Sequence, residues 1–538
     1  MPRMTGGEAI VDSLLRHDVD TVFGLPGAQT YGLFDALAKQ SNRIRLIGAR
    51  HEQGCGYMAL GYAKASGRPG VFTVVPGPGM LNASAALITA YAVNAPVMCI
   101  TGQVPSAFLG QGHGHLHEMP DQLATLRTLV KWAERIDDPT QAPLLLARAW
   151  QEMISARPRP VALEMPWDMF TSAVEVTPHD PLPRFPDPTP DPDRIAAAVT
   201  LIKAAKTPMI YVGGGAVAAG AEIAALAELL GAPVSSFRAG RGVVDDRHPH
   251  ATTSAVGGRL WPDTDLVIGI GTRLEAPGWR WGAAPAGQKR IRIDIDPAEI
   301  RRGKPDIGIV ADARAATAAL LAALSTPHLG WMAQVTKTKA DVTKAIQKVQ
   351  PHMAYLDILR SVMPDDSFLV DEVCQSAFTA YFGYPIHRPG GFVTSGWQGT
   401  LGAGFPIALG VKVGAPDKKV VSLTGDGGFL FAGSELATAV QYGIGLVTVV
   451  FNNSAYGNVL RDQTRLFDGR VAGAKLHNPD FQQYAASFGV KSWRVTAPDN
   501  FRPAIEAALD EPGPTLIEVM TDIASEVSPW EFIAAGRA

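Results

Sequence analysis

Short apolar runs that each end in a glycine turn recur along the whole chain, and they constrain its fold more than any other feature. TVFGLPG (21–27), PMIYVGGGAV (208–217) and VVSLTGDGG (420–428) each read as a buried strand that stops abruptly. Helical spacing lies between such runs, as in Ile10, Val11, Leu14 and Leu15. Strands that alternate with helices predict parallel sheets covered on both faces. RIRLIGA, GVFTVV, APVMCITG and PVALEMP extend the first group, DLVIGIGTRL and RIRIDIDPAEI the second, FLVDEV and LVTVVFNN the third. Prolines at 178, 181, 183, 186, 188, 190 and 192 separate the first group from the second. Proline breaks helices and is excluded from central strands, so this stretch reads as an ordered linker. A mostly helical segment, MAQVTKTKADVTKAIQKVQPHMAYLDILRSV, joins the second group to the third. A chain of 538 residues is too long for one core. The reading is an α/β protein of three consecutive domains, 1–175, 190–330 and 345–538, each with a mostly parallel sheet flanked by helices.

Several function classes drop out on composition. A net charge of -3 offers no bulk attraction to nucleic acid. Cys55, Cys99 and Cys374 lie far apart with no CxxC pair, which gives neither a disulfide framework nor a zinc site. The first residues, MPRMTGGEAIVDSLL, lack a signal-peptide core, and no run of about eighteen apolar residues occurs, so no membrane association and a cytoplasmic location are expected.

The aspartate in Gly425-Asp426-Gly427-Gly428 asks for a reason, because glycine alone can make a turn. In open parallel sheets ligands bind at the carboxyl ends of strands, and a following helix offers free N–H groups to phosphate. Asp426 would repel phosphate directly. It could hold a magnesium ion that bridges to phosphate oxygens, since magnesium takes hard oxygen ligands. LVTVVF ends in Asn452-Asn453, which could supply an amide oxygen, with a backbone carbonyl two residues on. The 24 residues from 428 to 451 fit one helix and one strand, so both turns fall on the same sheet edge. Each motif alone is commonly an ordinary turn; the pair at this spacing is far more specific.

GDG followed at this spacing by NN resembles the thiamine-diphosphate motif of the acetolactate synthase, pyruvate decarboxylase and benzaldehyde lyase superfamily. The stretches VFGLPGA and RHEQGCGYMALGYAKASGRPGV are similar to the pyrimidine-binding domain of that superfamily, as are PGPGMLNASAAL and APVMCITGQVP. APVSSF and RIDIDPAEI resemble its Rossmann-like central domain, and GTLGAGFPIALG the segment before the diphosphate motif. The resemblance implies Asp426, Asn453 and the backbone oxygen of Ala455 on Mg²⁺. It implies Gly425, Gly427, Gly428, Tyr456 and Gly457 around the diphosphate, and Glu52 as the catalytic glutamate against the aminopyrimidine. The Gly399 carbonyl would take the pyrimidine amino group and Leu401 would wedge the cofactor into a bend. On the substrate side it points to His117 and Gln29, with Glu118 and Asn458 in the same pocket. His113, His115 and His117 alternate in a glycine-containing loop, which reads as one face of an irregular segment rather than a metal site.

The resemblance implies a lyase or carboligase that uses thiamine diphosphate and Mg²⁺. It would act on 2-oxo acids, 2-hydroxy ketones or 2-hydroxyacyl thioesters through a carbanion at the thiazolium C2. FAD is not expected, because TTSAVGGRLW lacks the glycine- and methionine-rich FAD segment; Gly213–Gly215 with Asp294 or Asp296 leaves a nucleotide pocket open. Leu116-His117-Glu118 and the run Asn458 to Asp462 depart from housekeeping acetolactate synthases. An acetolactate synthase-type transferase that uses pyruvate remains an alternative. So does a non-catalytic nucleotide-binding paralogue, which intact Glu52, Asp426 and Asn453 weigh against. GGGAV lacks the full spacing of a dehydrogenase fingerprint. The family also implies a homo-oligomer, a dimer or dimer of dimers, with a small-molecule substrate bound between subunits.

Overall fold

The computed structural model of the chain describes residues 1–325 and 330–534; residues 326–329 and 535–538, which close the expected second and third units, lie outside the described residues. Three parallel six-stranded sheets succeed one another along the chain, each flanked by helices. The first holds β1 (Thr21–Gly24), β2 (Arg45–Gly48), β3 (Gly70–Val74), β4 (Val97–Gln103), β5 (Trp132–Arg135) and β6 (Val161–Pro166). Their order is 2-1-3-4-6-5. The second holds β7 (Pro208–Val212), β8 (Val234–Ser236), β9 (Ala251–Thr253), β10 (Leu266–Ile270), β11 (Lys289–Asp294) and β12 (Ile307–Val310). Its order, 9-8-7-10-11-12, is the doubly wound Rossmann arrangement. The third holds β13 (Phe368–Asp371), β14 (Phe392–Val393), β15 (Val420–Gly425), β16 (Val447–Asn452), β17 (Lys491–Val495) and β18 (Thr515–Met520). Its order, 14-13-15-16-18-17, repeats that of the first sheet.

Burial on both faces explains the unbroken apolar strands. Val420, Val421, Ser422 and Leu423 of β15 are all buried. The expected strand runs are strands, and the helical connector forms Met332–Ile346 and His352–Val362. The proline-rich stretch carries no helix or strand from 176 to 191. It ends where Pro192 takes the first position of a helix capped by Asp191, a place where a missing N–H costs nothing. Among the described residues no helix is long and apolar enough to cross a membrane.

One local expectation is corrected. The turn-then-helix after β15 has no separate turn, because Asp426 already begins the helix Asp426–Leu430. That helix stops after five residues, and a 3-10 turn, Gly433–Glu435, leads into a second helix, Leu436–Gln441. None of Gly425, Gly427 and Gly428 has a positive φ, so these glycines serve close approach rather than an unusual backbone.

The first and third units meet through the helices Glu52–Ser66 and Gly404–Gly414. Both carry a glycine at the contact. A Cβ on Gly61 would stand 2.0 Å from the Ile407 carbonyl oxygen, and one on Gly410 would stand 1.9 Å from that of Met58. Arg157 ties the first unit to the second, donating to Asp294 at 3.1 Å and to Glu299 at 3.0 Å.

Candidate active site

A cavity of about 270 Å³ opens at the carboxyl ends of β13, β15 and β16. Gly399, Leu401, Gly425, Asp426, Gly427, Gly428, Asn453, Ala455, Tyr456, Gly457 and Asn458 all line it. The close approach that the glycines permit is specific. A Cβ on Gly427 would stand 2.4 Å from Tyr456 Cε1, and one on Gly428 would stand 3.0 Å from the Glu372 carboxyl carbon.

The two asparagines divide their work. Asn452 donates to Glu518 at 2.7 Å, while its amide oxygen accepts from the Ser454 N–H and from Asn478. Its bonding is spent inside the fold. Asn453 donates to Glu526 at 3.1 Å, and a carboxylate can only accept, so the Asn453 oxygen is turned away from Glu526. Asn478 also donates to Asp426 at 2.7 Å, which fixes that carboxylate, and its own amide oxygen is buried without a partner. Burial pushes the Asp426 carboxyl up. One carboxylate, one amide oxygen and one carbonyl at a cavity wall form a hard-oxygen donor set of the kind magnesium takes, with positions left for phosphate and water. The residues fit that ion.

They also fit a diphosphate. The helix Gln375–Gly383 starts at the cavity with no side-chain cap, and both polar atoms of the Gln375 amide are buried without partners. Glu372 holds the loop that carries Leu401. Its oxygens accept from the N–H groups of Gly402 at 2.6 Å and Gly404 at 3.1 Å, and from the Thr424 hydroxyl at 3.2 Å. Burial raises this carboxyl to about 7.

The remaining candidates sit in the first unit. Glu52 opens its helix and accepts from Asn82 at 3.0 Å; Gly79 leaves it room, since a Cβ there would be 3.3 Å from Glu52 Oε1. Gln29 is buried, donates to the Leu116 carbonyl at 2.8 Å, and presents its oxygen to His117 Nδ1 at 3.1 Å. That oxygen can only accept, so neutral His117 carries its proton on Nδ1 and keeps Nε2 as a base. His117 has a left-handed backbone, φ 62°, and its carbonyl packs where a Cβ on Gly77 would be 2.4 Å away. Glu118 turns back on its own loop, accepting from Gly112 and His115 N–H groups at 3.0 and 2.9 Å. Those bonds hold its carboxyl below the usual range. The three loop histidines do not meet at one point: the His113 and His115 rings lie 5.8 Å apart, His115 stacks on Phe108 at 4.1 Å, and His117 faces Gln29.

The two groups of residues are not brought together within one chain. Every residue lining the 270 Å³ cavity belongs to the third unit, and Glu52, Gln29 and His117 are not among them. In the second unit, Gly213–Gly215 line a separate cavity of about 90 Å³. Asp294 there is engaged by Arg157, and Asp296 caps the following helix.

Sequence reading missed Asn82, Glu372, Gln375, Asn478 and Glu526. They are single polar residues with no motif of their own; only an excess of polar groups at strand ends, as in VDEVCQ, hinted at two of them.

Three family models match the chain. "Thiamine pyrophosphate enzyme, N-terminal TPP binding domain" covers residues 4–125, "Thiamine pyrophosphate enzyme, central domain" covers 195–320, and "Thiamine pyrophosphate enzyme, C-terminal TPP binding domain" covers 372–519. The chain is 36% identical over 531 residues to a probable 2-ketoarginine decarboxylase of Pseudomonas aeruginosa, across 96% of this chain and 94% of that one. It is 32% identical over 558 residues to an acetolactate synthase of Arthrospira platensis, across 96% and 94%. It is 33% identical over 569 residues to an acetolactate synthase large subunit of Corynebacterium glutamicum, across 100% and 89%.

Proposed function

The chain belongs to the thiamine pyrophosphate enzyme family, and from that premise we propose a Mg²⁺-dependent lyase or carboligase that makes or breaks a carbon–carbon bond next to a carbonyl. The observation that carries the metal assignment is the orientation of Asn453, whose amide oxygen Glu526 leaves free beside Asp426. Asp426, Asn453 and the Ala455 carbonyl hold Mg²⁺. The Gly427 and Gly428 backbone and the Gln375 amide receive the diphosphate, with Gly425, Tyr456 and Gly457 around them. When bound, thiamine diphosphate supplies an electron sink at its thiazolium C2.

The protein's own residues orient and move protons. Glu52, steadied by Asn82, would hold a proton at its carboxyl for exchange with the aminopyrimidine ring of bound cofactor. Leu401 and the Gly399 carbonyl, on the loop anchored by Glu372, would hold the cofactor's rings, Leu401 by apolar contact and the carbonyl by accepting from the pyrimidine amino group. His117, with its tautomer fixed by Gln29, would offer Nε2 to the substrate hydroxyl, and Asn458, whose amide oxygen accepts from Trp530 at 2.5 Å on the third unit's cavity wall, would meet it across the dimer. Glu118 shapes that side by holding the loop.

The division of the site supports a second copy. Leu81 beside Asn82, and Leu430 and Phe431 after Gly428, expose large apolar side chains at the edge of each half. A dimer in which the first unit of one copy covers the third unit of the other would bury them and join Glu52 to the cofactor. FAD forms no part of the proposal. A cytoplasmic home suits three free thiols.

The relatives' names favour 2-oxo acids over hydroxy ketones and acyl thioesters. The test is NMR of holoenzyme with ¹³C-labelled pyruvate or with 2-ketoarginine, each alone and with an added aldehyde. Loss of the labelled carboxyl as carbon dioxide, with an aldehyde or hydroxy ketone formed, supports the reading. Acetolactate from pyruvate alone supports the second reading, an acetolactate synthase-type transferase. Both 2-oxo acids left intact by cofactor-loaded enzyme would overturn the 2-oxo acid assignment.

A further inference from the structure

A buried carboxylate of the third unit grips the backbone immediately before Glu52. Glu435 is 1% exposed. Its Oε1 accepts the Arg50 N–H at 3.0 Å and the His51 N–H at 3.1 Å. Its Oε2 accepts the Arg50 N–H at 3.2 Å and the Thr438 hydroxyl at 2.5 Å. Every partner donates, so the carboxylate form satisfies all of them. Burial pushes the carboxyl up, and the Thr438 and backbone bonds draw it back. Gly54 completes the fit, because a Cβ there would stand 2.4 Å from Glu435 Oε1.

The grip extends along the same element. The Tyr442 hydroxyl accepts the Gly48 N–H at 2.9 Å, and the Tyr442 carbonyl accepts from Arg45 at 3.1 Å. Arg50 donates to Gln441 at 2.7 Å. The whole approach to Glu52, from Arg45 to His51, is thus seated on the segment that begins at Asp426 and ends at Tyr442. The Gly48, Arg50 and His51 bonds are part-buried backbone N–H bonds, and leaving such N–H groups unpaired is costly, whereas the Arg45 and Arg50 guanidinium bonds lie at the surface.

We propose that Glu435 is a positioning residue. It fixes the Arg50–His51 backbone, so aims Glu52, and makes each chain's diphosphate-side segment the seat of the glutamate that serves the partner copy's cofactor. The inference rests on the reading of Glu52 given above. Its physical basis is that displacement of a reacting group by about 1 Å can cost on the order of 10²-fold in rate.

The test uses holoenzyme carrying Glu435→Ala, Glu435→Gln and, in parallel, Glu52→Gln. Three quantities are read: amide hydrogen exchange of the peptide spanning 48–56, solvent exchange of the C2 proton of bound thiamine diphosphate, and cofactor affinity in a Mg²⁺ titration. Glu435→Ala should speed amide exchange at Arg50 and His51 and slow C2 exchange by about 10²-fold. Cofactor affinity should stay within about threefold, because the diphosphate cradle is untouched. Glu435→Gln keeps one acceptor oxygen and should fall between; it carries the test if the alanine variant does not fold. Normal C2 exchange in a folded Glu435 variant, or lost affinity with normal C2 exchange, would overturn the inference. If Glu52→Gln itself leaves C2 exchange unchanged, the reading of Glu52 fails instead, which keeps the two failures apart.

Discussion

Asn453 keeps its oxygen for the cavity because Glu526, on the same cavity wall, takes its nitrogen, so a neighbouring carboxylate sets the orientation of the proposed metal ligand. Arg461 and Thr521 donate to Glu526 and hold it in turn, with the His352 ring 3.8 Å away. Outer partners of metal ligands typically matter by about 10–100-fold in metal affinity. Glu526→Ala should therefore weaken Mg²⁺-supported cofactor binding by about that factor, read by calorimetric titration, and an unchanged affinity would separate Asn453 from the metal. Glu372 yields a second residue-scale prediction. Its folded pKa, about 7, lies above the ordinary glutamate value of 4.5, so the native state binds more protons in that window. Its stabilising contribution is full below about pH 4.5 and is lost as pH rises through about 7. Glu372→Gln in the cofactor-free protein should flatten that slope, measured as the urea midpoint at several pH values. Asp426 and Asn453 were legible in sequence as a pair of strand-end turns at a fixed spacing, and Glu52 only through the family resemblance of the stretch around it. Glu372, Asn478 and Glu526 were not, because their importance comes from which backbone or amide they meet across the fold.

At the scale of elements, the strand-and-turn pattern was legible because doubly covered parallel strands must be apolar throughout, and glycine marks where they end. Edge strands such as β5 (WAER) and β17 (KSWRV) escaped it, being short, charged and only partly buried. The interrupted helix after Asp426 also escaped; its break falls between Leu430 and Leu436, and the 3-10 turn there carries Glu435 to the Arg50–His51 backbone. Glycine is a poor helix former, yet Gly61 and Gly410, inside the helices Glu52–Ser66 and Gly404–Gly414, are where two backbones touch. Alanine at an exposed helix position would gain about 1 kcal/mol over glycine. At Gly410 the added Cβ would stand 1.9 Å from the Met58 carbonyl oxygen, and overpacking of that kind costs about 1–3 kcal/mol. Gly410→Ala should thus destabilise the protein despite its better helix propensity, and a raised unfolding midpoint would contradict the packing argument. Gly427→Ala should act locally, displacing the Tyr456 ring and cutting cofactor affinity with little change in the unfolding midpoint.

At the scale of the molecule, the first and third sheets share one strand order, and the proposed site residues divide between those two units. The Rossmann-ordered second unit lies between them in sequence and is locked to the first through Arg157. The three-unit architecture could be read from the chain, but the division of the site could not, because sequence does not say which unit faces which copy. The central claim is that Glu52 of one copy acts on the cofactor held by Asp426 and Asn453 of another. Mixed dimers of Glu52→Gln and Asp426→Asn chains test it most directly, with C2-proton exchange of bound thiamine diphosphate as the readout. Each variant alone should be inert. Sites built across two copies predict that random mixing restores about one quarter of the wild-type exchange, since half the dimers are mixed and each has one intact site. No recovery in verified mixed dimers would contradict the account, because sites built within one chain leave every site damaged.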